Sequence, residues 1–213
     1  FQGLATATLK NLTATQVAAL TTAQLRSLSD GQTATLEPDD LFSLNSAQTA
    51  ALTTNQISKL NTASVASLKT QFLTTDQIVV ITTAEAAQLT AAQINALSTD
   101  QVVKFETADI AALSNGIVSS LGTRAISALT DAQVTALTSN QVSVLTTSQL
   151  NALTNINKIE PADLAVISAT SLNKLTSAQL ANLSTAQTNA LTASQIKALS
   201  TVQILCFPVF LKP

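Results

Sequence analysis

Histidine, methionine, tryptophan and tyrosine are absent from this chain of 213 residues, and cysteine occurs once, at Cys206. Without histidine and with a single thiol, neither the usual nucleophile–base pairs nor a zinc site can be assembled. One cysteine also excludes an internal disulfide, and a buried thiol is the expected state of Cys206. Four glycines are too few, and too scattered, for a glycine-rich phosphate loop. No enzyme is therefore expected, and no catalytic, cofactor-binding or metal-binding residues are assigned. Charged residues make up 10% of the chain, with a net charge of −2, and lysines and arginines stand singly from Lys10 to Lys212. Lacking a basic stripe, the chain is not expected to bind nucleic acid. No apolar run approaches the roughly 20 residues of a transmembrane helix, so membrane insertion is not expected either. Aromatic residues are six phenylalanines, 3% of the whole, so burial must come from many small aliphatic groups.

What the chain has in quantity is a period of eight. Leucine, or an apolar substitute, recurs at Leu4, Leu12, Leu20 and onward to Leu68. The line resumes at Leu73 and runs through Ile81 and Phe105 to Leu153, then again from Ile159 to Phe207. These are 27 anchors separated by 24 octads and two shorter intervals, of five and six residues. Counting the anchor as zero, position +1 is Ser, Thr or Asn in 19 octads, +4 is Gln in 15, and +5 is Val, Ile or Leu in 20. A fixed short period marks a repeat architecture.

Each octad carries the signature of a helix start. Thr-x-x-Gln ahead of an apolar pair is a capping box, in which the hydroxyl accepts from the N3 amide and the glutamine accepts from the N-cap amide. Pro38 and Pro161 fall at the first helical position, where a missing N–H costs nothing. The octad thus predicts a capped helix of about two turns, with +5 and the next anchor on one face. A single long helix fails, because eight residues at about 100° each rotate an apolar stripe by roughly 80° per octad. A β-solenoid fails because positions 0 and +5 would point to opposite faces of a strand. The expected fold class is all-α: a solenoid or superhelix of short capped helices, one per octad. An isolated octad is too short to be stable in water, so neighbours must stack.

Glutamate takes +1 in three octads, each time with aspartate at +4: Glu37 with Asp40, Glu106 with Asp109, and Glu160 with Asp163. A reversed cap explains the exchange; a hard-cation site built on Glu37, Asp39 and Asp40 is the alternative. The short intervals, at residues 69–73 and 154–159, each carry an extra bulky apolar residue, Phe72 or Ile156. They read as tightened turns in one solenoid spanning 4–207, or as boundaries between sub-rods. Residues 1–3 resemble the remnant of a protease site used to remove purification tags. Residues 208–213 leave the pattern and read as a C-terminal cap or as a fragment end open to end-to-end self-association. Asn11-Leu12-Thr13 and Asn182-Leu183-Ser184 match the glycosylation sequon, which the repeat consensus also generates by chance.

Runs such as Leu129-Thr130-Asp131-Ala132-Gln133-Val134, continuing to Val142, resemble the degenerate Leu-Thr-x-x-Gln-Val repeats of very large bacterial secreted or surface proteins. Such proteins are labelled adhesin-like, haemagglutinin-like or haem-utilisation. The resemblance implies a family context, secreted or cell-surface; a structural role as spacer or stalk is expected from the uniformity of the octads, none of which collects unusual polar residues as a dedicated site would. The haem label has no support in the residues, since Cys206 alone could serve as an axial ligand. Two binding roles stand beside the spacer: recognition of a protein or glycan by the solenoid surface, and ice binding by an array of threonines. Both would use the pairs Thr21-Thr22, Thr53-Thr54, Thr74-Thr75, Thr82-Thr83 and Thr146-Thr147.

Overall fold

The computed structural model describes residue 3 and residues 5–207. Phe1 and Gln2 of the segment read as a tag remnant, the anchor Leu4 and residues 208–213 lie outside the described residues. Among those described there are 24 α-helices and two 3-10 turns, with no strand. The fold is the all-helical solenoid that the octads predict.

Each helix is four to six residues long, shorter than two turns. The reason lies at its exit. In the Thr13 octad, the amide of the next anchor, Leu20, donates to the Val17 carbonyl at 3.0 Å, a three-residue closure. The anchor or the residue after it then turns extended: Leu44 has ψ 141° and Asn45 ψ 177°. Two extended residues thus form the corner, and no described residue adopts positive φ. Four glycines suffice because no corner needs a left-handed residue.

At the entry, all 15 glutamines at +4 close a capping box with their N-cap residue. In the octad of Leu137, Gln141 N donates to Thr138 Oγ1 at 3.3 Å and Thr138 N to Gln141 Oε1 at 2.9 Å. Glu85 serves equally, accepting from Thr82 N at 2.7 Å.

The chain divides into two compact units, Phe1–Ala112 and Leu113–Pro213. Within each, an element packs on the element three places away. In the first unit, Ala14–Ala18 lies on Pro38–Ser43 and Thr83–Ala86 on Thr107–Ala112. In the second, Thr123–Ser127 lies on Thr147–Ala152 and Ala169–Leu172 on Ala193–Ala198. One superhelical turn therefore takes three octads. The short intervals hold the 3-10 turns Thr70–Phe72 and Ile156–Lys158. Each turn fills one place in the count: Thr70–Phe72 packs on Ser46–Ala51 and Ala91–Ala96, and Ile156–Lys158 on Asp131–Thr135.

The interior follows the pattern. Most anchors and +5 residues are buried, among them Val17, Leu25, Leu44, Ile78, Leu150 and Leu164, all fully covered. Among the described residues, Phe42, Val79, Val103, Val166, Val202 and Leu205 are the large apolar side chains left exposed.

Candidate functional site

The glutamines do more than cap. Eleven of them are buried, which the capping role alone does not require. With Oε1 held by the N-cap amide, the side-chain nitrogen points across to the preceding turn. Gln56 Nε2 donates to the carbonyls of Leu25 and Leu28, at 2.8 and 3.2 Å. Gln149 does the same to Val118 and Leu121, at 2.7 and 2.8 Å. Gln48, Gln93, Gln179, Gln187 and Gln195 repeat the contact. The recurrent acceptor is the anchor carbonyl three elements back, a group left over when the helix ends. Burying an amide is tolerable only when it is bonded on both sides, and here it is.

At three places without glutamine another donor reaches the same carbonyl. Ser64 Oγ bonds Leu36 O at 2.9 Å. In the shortened octads the donors are Lys69 Nζ, on Leu44 O at 3.0 Å, and Asn155 Nδ2, on Leu129 O at 3.2 Å. Lys69 also stands 5.1 Å above the Phe42 ring, which gives that exposed aromatic a cationic neighbour.

The glutamate–aspartate octads invert the polarity. Asp40 accepts from Glu37 N at 2.9 Å and Asp109 from Glu106 N at 3.0 Å. The expected reversed cap is not made at Glu160, whose side chain caps nothing; the Asp163 amide goes to the Glu160 carbonyl at 2.9 Å. A carboxylate has no proton to give, so it receives one from the +2 hydroxyl three elements back. Thr83 Oγ1 donates to Asp109 at 2.8 Å, and Ser139 Oγ donates to Asp163. At the corresponding place for Asp40 stands Ala14. Burial pushes the Asp40 carboxyl above its ordinary value; the Glu37 amide pulls it down, and the charges of Glu37 and Asp39 push it up.

The structure does not bring Glu37, Asp39 and Asp40 together as cation ligands. Asp40 is buried as a cap while Glu37 and Asp39 are exposed. Among the described residues no group of three or more His, Cys, Asp or Glu side chains could hold a metal ion. Asp131 is the carboxylate drawn below its usual range, by the Asn155 hydrogen bond and then by Lys158, whose ammonium lies 3.2 Å away. This cluster ties one turn to the next.

In every threonine pair the +1 hydroxyl is consumed as an N-cap acceptor. Thr83 is spent on Asp109. Left at +2 in these pairs are Thr22, Thr54, Thr75 and Thr147; Thr54 and Thr75, with Thr99, form a short column in the first unit, borne by helices stacked in successive turns. A shallow groove bounded by Lys10, Thr35, Glu37, Pro38 and Asn61 is lined by exposed or half-exposed groups. Cys206 is half-buried, and its thiol donates to the Val202 carbonyl at 3.2 Å. Among the described residues no helix is long and apolar enough to cross a membrane.

The glutamine-tied coil defines a helical-repeat protein. More narrowly, the chain belongs to the ALTTAQ repeat family, whose model matches residues 33–70, 102–139 and 156–201, together more than half of its length. Comparison with curated proteins finds no relative that matches the chain.

The cross-turn glutamine contact was not anticipated from the sequence, yet a signal for it is there. Glutamate closes a capping box as well as glutamine does. Here glutamine fills +4 fifteen times and glutamate once. A preference that capping does not explain points to a need for the second, donating end of the amide.

Proposed function

We propose that this chain is a non-catalytic structural segment, a spacer or stalk, of a secreted or cell-surface bacterial protein. The observation that carries this reading is where the polar chemistry goes. Cap hydroxyls and glutamine amides, the commonest polar groups of the repeat, are spent inside the coil, on caps and on the previous turn. Membership of a repeat family supports the structural role. The location is inferred from the resemblance of the octads to tracts in large surface proteins. Small-angle scattering on the purified chain tests the spacer: an elongated cross-section plateau is expected, and a compact globular profile would end the reading. Surface labelling of the intact parent cell tests the location.

A second reading, recognition of a protein or glycan, is favoured by the column Thr54, Thr75 and Thr99. Screening the chain on a glycan array and on host-cell monolayers separates the two. A pure spacer binds neither, and binding abolished by Thr75→Val would favour the second.

A further inference from the structure

The way successive turns are joined has a mechanical meaning. Outside the helices, the main-chain hydrogen bonds seen within each unit link positions three or four apart, as Leu20 to Val17 and Leu150 to Thr146. These bonds close locally and do not join one turn to the next. The ties between turns are side-chain ties: the aliphatic edge, the glutamine amides, and local substitutes such as Lys69 on Leu44 and Asn155 on Leu129. A turn lifted away from its neighbour loses its buried face and its amide bonds together. Its octads, four to six helical residues each, are then too short to stay helical alone.

We propose that the coil is an extensible element that yields under tension one turn at a time, each event releasing three octads, 24 residues, as unfolded chain. Separating two turns requires giving up only their shared surface, because nearest-neighbour contacts hold each repeat. The glutamine contact sets the grip between turns, since it is the recurrent polar bond that crosses the gap. This inference deepens the spacer reading and rests on it: a stalk under load would lengthen rather than snap.

The test is single-molecule force spectroscopy on the whole chain, held by handles at its two ends. At about 3.4 Å per extended residue, one turn adds roughly 80 Å of contour. Increments of that size, or at most of twice it, are expected. Loss of an entire unit of about 100 residues in one event, near 340 Å, overturns the proposal. So does an increment near 36 Å, the length of 24 residues still helical, which would mean turns separating without melting. Gln149→Glu keeps the cap acceptor but removes the donor to Val118 and Leu121. In that variant one release should move to clearly lower force while the others stay put; an unchanged set of forces overturns the role given to the amide. The unaltered chain decides the step size even if the variant folds poorly. An all-or-none rip would leave a rigid spacer, which scattering detects separately, so the two readings can fail independently.

Discussion

At the scale of single residues, the repeat reveals its rules through its exceptions. Thr49 occupies a +5 place that is aliphatic in most octads, and its hydroxyl is buried without a hydrogen-bond partner. Thr33 and Thr188, also at +5, return their hydroxyls to the carbonyls of Ser29 and Ser184 at 3.0 Å. Thr49→Val should therefore stabilise the chain by about 1–2 kcal/mol, read from the urea midpoint, because it removes an unpaid desolvation cost. Asp40 is the other exception. Its folded pKa is raised, so the folded state holds the proton more tightly than the unfolded chain does. The stability this lends is complete below about 3.8, the ordinary value, and is lost as pH rises through the higher folded value. Asp40→Asn should consequently gain stability at pH 7 relative to the parent, and the gain should vanish below pH 3.8 in thermal melts. Ala14→Ser supplies the hydroxyl that Asp109 and Asp163 enjoy, and should add about 1 kcal/mol at pH 7, with a smaller gain once Asp40 is protonated.

The element scale separates capping from stacking. Gln149→Glu retains the acceptor for Thr146 N, now 2.8 Å away, but leaves the Val118 and Leu121 carbonyls without their donor and buries a charge. A loss of about 2–3 kcal/mol is expected, whereas Thr146→Ala, which removes only the cap hydroxyl, should cost about 1 kcal/mol; denaturant titrations of both compare the two contributions. The octad made the helices and their caps legible in advance, since hydroxyl, glutamine and aliphatic pair sit at fixed spacing. Helix length was overestimated. Leu44 and its equivalents close on the residue three back and turn extended, a geometry that an aliphatic anchor does not announce. The number of octads per turn was not legible either. It is set by contacts 28 residues apart, such as Gln56 on Leu28, and near-identical octads give no clue to which of them meet. Glu37, Asp39 and Asp40 are neighbours in sequence, yet helix geometry places one carboxylate inside and two outside.

For the molecule as a whole, three elements per turn make the octads nearly interchangeable but not wholly so. Removing residues 121–128 leaves Ser139 three elements before Asp163, and Lys158 beside Asp131. Removing residues 145–152 instead sets Asp131 where Ser139 stood, so that one carboxylate faces another. The second deletion should be less stable than the first by about 1–3 kcal/mol at pH 7, with the difference shrinking as pH falls through the carboxylate range; parallel thermal melts across pH read this directly. A further consequence follows from hydrogen bonds that close within their own octad. Polymers of short, low-charge, aliphatic repeats ordinarily invite cross-β stacking, which spreads by templating on unpaired backbone. Along the described residues this chain presents no strand whose amides and carbonyls could recruit a neighbour. Resistance of the folded coil to such templating is therefore expected from topology rather than from charge, and a thioflavin assay on chains of increasing octad number would show it.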